Sequence, residues 1–278
     1  MIKFFEKDPY APIQYSYDVE RVLYRGRSPF QDIMVIENHH FGKMLILDGV
    51  VQITERDEFF YHEMLVHVVM HALPNPKKVV VIGGGDGGVV REVLKHDSVE
   101  KVYFIEIDEE VIRVSREFFP TVSGAVGDNR VEIRCMDGAE FVKGRPGDID
   151  AIIVDSTDII GFAKSLFTVE FFKSVKESLT GEGMFVTLSE SLHFHKDMVI
   201  EVQEAMRLIF PIVDLYTAPL ATYAGNWWTF SCASKKHDLR EIRREPVAGT
   251  KYYCDEIHRQ AFLPPKFFER LMARELHW

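Results

Sequence analysis

The chain has 278 residues, with 33 Lys and Arg against 43 Asp and Glu, for a formal charge of −10. Its 46% hydrophobic and 27% charged content excludes a disordered, collagen-like or coiled-coil chain and implies a substantial core. No apolar run approaches the roughly 18 residues of a membrane helix, and net acidity disfavours a phosphate-backbone partner, so neither membrane nor nucleic acid is expected. The same acidity suits a cationic small ligand, or serves solubility alone. Met1 to Pro9 carries charges where a secretory signal has an apolar stretch. Cys135, Cys232 and Cys254 form no C-x-x-C pattern. A cytoplasmic protein with reduced thiols is the expectation.

The first part of the chain predicts a small antiparallel sheet. Asp32–Glu37 and Lys43–Leu47 read as short strands with Asn38 to Gly42 as their turn, and Asp48-Gly49 turns the chain into Val50–Thr54. A helix from about Asp57 runs to about Leu73, where Pro74-Asn75-Pro76 stops it. Beyond it, strand and helix patterns alternate, the mark of an α/β fold with a mostly parallel sheet. Seven strands are expected: Lys78–Ile82, Lys101–Ile107, Val131–Cys135, Ala151–Val154, Met184–Leu188, Ile212–Tyr216 and Trp228–Ala233. Helices are expected over Val89–Lys95, Glu109–Phe119, Gly138–Val142, Thr168–Leu179 and His195–Ile209, with a final amphipathic helix in Pro264–Trp278. Two units follow: 1–73, a β domain, and 74–278, a Rossmann-like nucleotide-binding domain.

The strongest motif lies between the first of these strands and its helix, where Gly83, Gly85 and Gly88 satisfy G-x-G-x-x-G. Glycines permit a tight turn and close backbone approach of a ligand. At the end of the next strand, Glu106 can accept both hydroxyls of a ribose. At the end of the third, Asp137 before Gly138 can accept from an adenine amine, or cap the following helix. These features suit an adenosine ligand without choosing NAD over an S-adenosyl compound. Asp86 inside the turn leans away from pyrophosphate, which would meet a like charge, and towards a cationic sulfonium.

The fourth strand runs into Asp155-Ser156-Thr157-Asp158, two carboxylates at the usual ligand crevice of such sheets, although they could also only cap a turn. With Asp86 beside them, three clustered carboxylates call for a counter-cation, and an amine-bearing substrate is the natural one.

These stretches resemble the polyamine aminopropyltransferase (spermidine synthase) family over nearly the whole chain. The resemblance is carried by Gln31-Asp32, Leu47 to Gln52, Thr54 to Phe59, Tyr61 to Met64, Gly83 to Gly88, Asp155 to Asp158, Ser165-Leu166-Phe167, Thr222-Tyr223, Tyr252-Tyr253 and Glu256-Ile257-His258. It implies a methyltransferase-like Rossmann domain and aminopropyl transfer from decarboxylated S-adenosylmethionine, a co-substrate, to putrescine, giving spermidine and 5′-methylthioadenosine. No metal or other cofactor is implied. Gln31, Glu106, Asp137 and Gly138 match the family's nucleoside positions, with Gly83, Gly85 and Asp86 at the turn. His62, Asp86 and Asp158 match its amine pocket, with Tyr61 and Tyr223 beside them, and Asp155 matches the proposed general base. Ser156 and Thr157 would offer polar groups to the same pocket. A homodimer or homotetramer is also implied, with the N-terminal β domain suited to the interface.

Departures from the family pattern fall on the acceptor side. Ile159-Ile160-Gly161-Phe162 replaces a loop that usually carries two prolines, which predicts a more mobile loop and places Phe162 beside the donor's methylthio group. Leu188 stands where glutamine is common, and Ala224 follows Tyr223 in place of proline. Agmatine, cadaverine or a longer polyamine therefore stays open as acceptor. An S-adenosylmethionine-dependent diamine N-methyltransferase and a catalytically silent binding protein are the competing classes. His67, His71, His193 and His195 have metal-like spacings but are expected as surface residues. Trp227 to Phe230 is expected as a buried strand, and Lys235 to Glu245 as a solvated segment.

Overall fold

The computed structural model describes residues 2–8, 10–159 and 161–278; the side chains of residues 161 and 162 lie outside that description, and with them the expectation for Phe162. The N-terminal part builds two small sheets. Strands β1 (Ile2–Lys7) and β2 (Gln14–Val19) form an antiparallel pair. Strands β3 (Arg21–Arg27), β4 (Asp32–Asn38), β5 (Gly42–Leu47) and β6 (Val50–Thr54) form an antiparallel meander. The last three match the sequence expectation. The first three were not foreseen, because residues such as Lys3, Glu6, Arg21 and Arg25 interrupt the apolar signal, and most of β1 and β3 faces outward.

The second part is a seven-stranded sheet. Its strands are β7 (Lys78–Gly83), β8 (Lys101–Glu106), β9 (Val131–Cys135), β10 (Ile149–Asp155), β11 (Leu179–Ser191), β12 (Ile212–Pro219) and β13 (Trp227–Ser234). The order is β12-β13-β11-β10-β7-β8-β9, parallel from β11 through β9, with β13 antiparallel to both of its neighbours. This is the mostly parallel Rossmann-like sheet predicted. After β7 the chain builds outward to β8 and β9, then returns to place β10 on the other flank. The carboxyl ends of β7 and β10 therefore flank the crevice where such sheets bind ligands. Their register sets Asp155 directly beside Gly83.

Local chemistry sets the helix starts. Asp108 caps α3 (Glu109–Phe118) by accepting from the Glu110 amide, Asp137 caps α5 (Gly138–Val142) through Ala139, and Thr168 caps α6 (Val169–Ser178) through Phe171. The remaining helices are α1 (Glu58–Ala72), α2 (Gly88–Val93), α4 (Pro120–Ser123), α7 (Lys196–Arg207), α8 (Asp255–Ala261) and α9 (Pro265–Met272). Of these, α4 and α8 had no counterpart in the sequence reading. Trp228, Thr229 and Phe230 are buried in β13, as expected, while Trp227 before them is half-buried.

The four-stranded sheet docks onto α3 and α4. Ile33, Val35, Leu45, Leu47 and Ile53 pack against Val111, Val114, Phe119 and Val122, each large apolar side chain contributing about 1.5–3 kcal/mol on burial. Polar ties run the same way: Ser28 Oγ donates to Asp108 at 2.6 Å, and Tyr24 Oη to Glu110 at 2.7 Å. Helix α1, at the end of the expected 1–73 unit, packs with the seven-stranded sheet; Met64, Leu65, Val68 and Val69 share one core with Val79, Val81, Ile153 and Val186.

That packing corrects the reading of His67 and His71 as surface residues: both are fully buried. The sheet, α2 and the segment carrying Leu239 and Tyr253 cover α1 on its several sides. Arg244 donates towards His96 Nδ1 (3.2 Å), so His96 Nε2–H points at His67 Nδ1 (3.0 Å) and His67 Nε2–H at Glu92 (2.9 Å). The segment expected to be solvated is thus partly structural, since the Arg243 amide also donates to the His71 carbonyl at 2.8 Å. His195 is buried as well, beside Asp8 and Glu190, whereas His193 is exposed as expected.

Candidate active site

A single cavity of about 360 Å³ opens where β7, β8 and β10 end, roofed by β1, β6 and the loop carrying Tyr223. Its lining includes Gln31, His62, Tyr61, Gly83, Gly85, Asp86, Glu106, Asp137, Gly138, Asp155, Ser156, Thr157, Asp158 and Tyr223, so the expected residues with described side chains meet in one place.

One end gathers the residues expected at the nucleoside, Gln31, Glu106 and Asp137. Glu106 is buried; burial pushes its carboxyl up to about 7 against the pull of the Asp108 amide at 2.9 Å. Gln31 Nε2 donates to Asp108 at 2.8 Å, which fixes its carboxamide beside Glu106. One Asp137 oxygen caps α5 at 2.7 Å, and the residue still lines the cavity, so the two roles foreseen for it are compatible.

The centre holds Asp155. Tyr61 Oη donates to its Oδ1 at 2.7 Å, while Oδ2 is shielded from solvent with no hydrogen-bond partner. Burial and then the Asp86 charge push this carboxyl well above the usual aspartate range. Asp86 goes the other way: burial alone would raise it, but the His62 charge 3.2 Å away and the bond from the Gly88 amide (2.7 Å) hold it low. His62, Asp86 and Asp155 present side-chain atoms within 4.8 Å of one another. Tyr223 Oη gives its proton to the Gln52 carbonyl, so towards the cavity the hydroxyl can only accept, as an ammonium requires.

The glycine turn serves these side chains as well as a ligand. Gly83 has φ +78, and a Cβ there would lie 2.1 Å from the Asp155 carbonyl; a Cβ on Gly88 would lie 2.2 Å from the His62 ring. Only glycine lets Asp155 and His62 close on the turn.

The far end carries acidic groups that sequence reasoning missed. Glu6, Asp8 and Glu190 line the cavity near Asp158, with His195 among them. Burial raises Glu6 to about 7 and raises Asp158 and Glu190 above the ordinary carboxylate range, Glu190 further by the Asp158 charge. Glu190 takes φ 73, a conformation costing about 1–2 kcal/mol, and accepts from the Ile159 amide at 2.9 Å. Tyr10 Oη donates to the Ile159 carbonyl at 2.9 Å, so the loop expected to be mobile is pinned at its first residue. Chain-distant carboxylates such as Glu6 and Glu190 form no local motif; only the fold brings them together.

Comparison with known proteins agrees with this geometry. Residues 58–243 match the family described as "Spermine/spermidine synthase domain", and residues 2–55 match "Spermidine synthase tetramerisation domain". The chain is 53% identical over 271 residues to a polyamine aminopropyltransferase of Hydrogenobaculum sp., covering 98% of this chain and 97% of that one. It is 50% identical over 274 residues to polyamine aminopropyltransferase 1 of Aquifex aeolicus, covering 99% and 98%. Among solved structures, spermidine synthase in complex with the transition state analogue AdoDATO superposes with a TM-score of 0.91 at 37% identity, covering 98% and 95%. Spermidine synthase from Thermotoga maritima gives 0.90 at 36%, covering 99% and 95%.

The fold and cavity are those of an enzyme that transfers a group from a nucleoside donor to a small amine. The chain belongs to the polyamine aminopropyltransferase (spermidine synthase) family and transfers aminopropyl groups from decarboxylated S-adenosylmethionine to polyamines. That sets aside the N-methyltransferase and the silent binding protein.

Gly88→Ala forces the His62 ring away from Asp86. It is expected to lower kcat/KM by about 10²-fold while the far-UV circular dichroism stays unchanged; full activity would show that the close approach is dispensable.

Proposed function

We propose that the acceptor is putrescine and that Asp155 is the general base, with Asp86 and Asp158 holding ammonium groups on either side. The supporting observation is that one cavity gathers Gln31, Glu106, Asp137, Tyr61, Asp155 and Asp158, with Glu106 at Gly85, Asp155 at Gly83 and Gly84 beside Tyr61 and Asp86, and Asp158 near Asp8 and His195. Gly83, Gly85 and Gly138 would lie against the donor, and Ser156 and Thr157 against the reacting amine.

The chemistry explains these residue types. An alkylammonium has no lone pair and must lose a proton before attacking carbon. With an amine pKa near lysine's, about 10.4 against about 3.9 for aspartate, transfer to a carboxylate in water is uphill by roughly 9 kcal/mol. Burial lowers the amine and raises Asp155, which narrows the gap from both sides. The freed nitrogen attacks the propyl carbon next to the sulfonium, the C–N bond forms as the C–S bond breaks, and sulfur takes the electron pair as a neutral thioether. The proton rests on Asp155 before leaving to solvent. Tyr61 holds Oδ1, which leaves Oδ2 to receive it.

A second acceptor class has its own support. Glu6, Asp8 and Glu190 add negative charge beyond Asp158, enough to hold a further ammonium of a longer polyamine.

One experiment covers both. Decarboxylated S-adenosylmethionine is incubated with putrescine, agmatine, cadaverine and spermidine, and products are identified for the wild type and Asp155→Asn. The expected result is spermidine and methylthioadenosine from putrescine, with kcat lowered by about 10²- to 10⁴-fold in the variant and nucleoside affinity retained. A near-normal kcat in Asp155→Asn would remove it as the base, and turnover confined to spermidine would replace putrescine.

The same reading includes a cytoplasmic homo-oligomer, dimer or tetramer. Exposed Ile2, Phe5 and Val22 on the N-terminal strands and the match of residues 2–55 to a tetramerisation domain support it. Residues 1–73 would supply the interface and a wall of the pocket, and 74–278 the catalytic unit. Sedimentation equilibrium is expected to give two or four copies; a monomer would overturn this part.

A further inference from the structure

The amine pocket contains a histidine whose protonation state is imposed from behind. His62 sits on α1 with no exposure, one ring nitrogen facing each way. Nδ1 is 2.6 Å from Glu58 Oε2 and Nε2 is 3.2 Å from Asp86 Oδ1. Glu58 is itself gripped by Arg91, whose Nη1 and Nη2 donate to its two oxygens at 3.0 and 2.8 Å, so it is an ionised acceptor. Arg91 is held in turn by Glu92 at 2.8 Å. A neutral imidazole between two carboxylates always turns one lone pair onto a carboxylate oxygen. Between two ionised carboxylates, only the doubly protonated ring turns an N–H towards each, short to Glu58 and as a longer ion pair to Asp86.

We propose that Glu58, braced by Arg91, is a positioning residue that keeps His62 an imidazolium against Asp86, and thereby decides that Asp86 stays ionised while Asp155 is the carboxylate that takes up the proton. This rests on the reading of Asp155 as base and Asp86 as amine anchor. The groups facing His62 are Glu58 from α1, with Arg91 of α2 behind it, Asp86 from the glycine turn and Asp155 from β10; the Tyr61 ring lies edge-on at 5.5 Å.

The electrostatics run in the same direction. Burial alone would lower His62, but Asp86 and Glu58 raise it to about 10. Burial alone would raise Glu58, but His62 and Arg91 bring it to about 2. The two adjoining aspartates split, Asp86 downward and Asp155 upward. Two carboxylates sharing a buried site cannot both ionise easily, and the fixed cation lies nearer one of them. Without it, the Asp86–Asp155 pair would hold its proton to higher pH, so the form able to accept a proton would appear only under more alkaline conditions.

The test combines a spectroscopic and a kinetic readout. In the wild type without substrate, ¹⁵N spectra of His62 are expected to show both nitrogens protonated from about pH 6 to about pH 9. In Glu58→Gln the ring is expected to lose a proton within that window, and the acid limb of kcat/KM to move up by about one pH unit. Glu58→Asp, which keeps the charge, returns both readouts towards wild type. A merely structural Glu58 would lower kcat and thermal midpoint without moving the limb. A neutral His62 in the wild type overturns the proposal even if no variant folds. So does a ring still doubly protonated in Glu58→Gln, or a limb that does not move. Because the spectra are read without substrate, failure here is separable from failure of Asp155 as base, which the kcat of Asp155→Asn reports.

Discussion

Negative charge packed into a space short of cations is the constraint on which the rest of this structure depends. Glu6, Asp8, Asp86, Asp155, Asp158 and Glu190 line one cavity, against Lys7, His62 and His195 among the described lining residues. Such a cluster is unfavourable in an empty pocket, and it responds in the way buried like charges must: Glu6, Asp155, Asp158 and Glu190 are pushed upward. A polycation relieves that strain on entry. On the proposed reading, the charges that would bind the amine also raise the carboxylates that could take its proton, and the Glu58–His62 pair decides which of them does so.

The scaffold makes this arrangement possible through its topology. Strands β7 and β10 are neighbours whose carboxyl ends carry the glycine turn and Asp155, and their register brings Gly83 level with Asp155. Helix α1 enters from the other side, packed into the same core, and delivers Tyr61 and His62. The small sheets close the pocket: Val51 of β6 donates to Glu6 of β1 at 3.0 Å, and Thr222 Oγ1 donates to Asp57 at 2.8 Å, which ties the Tyr223 loop to the start of α1. Each wall of the cavity is thus anchored to a different part of the core.

How much of this was legible in the sequence depends on how local each signal is. The parallel sheet, the glycine turn, Glu106, Asp137 and the Asp155-to-Asp158 stretch could be read because each sits at a strand end, where a few consecutive residues define both structure and chemistry. Strands β1 to β3 could not, since their charged outer residues hide the alternation that betrays a half-buried strand. Glu190 and Glu6 were hidden for a different reason: 184 positions separate them in the chain, and only folding makes them neighbours of Asp158. His67 and His71 misled because no acidic or cysteine residue shares their spacing, whereas in the fold buried Glu92 and His96, backed by half-buried Arg244, satisfy His67.

The claim that amine binding is coupled to proton loss from the cavity is open to direct calorimetric test. Putrescine is titrated into the enzyme near neutral pH in two buffers of different ionisation enthalpy, and the difference in observed heat counts the protons exchanged. The account predicts net release of protons to the buffer, as carboxylates held partly protonated by burial ionise against the incoming ammonium groups. Binding with no proton exchange, or with uptake, would contradict it.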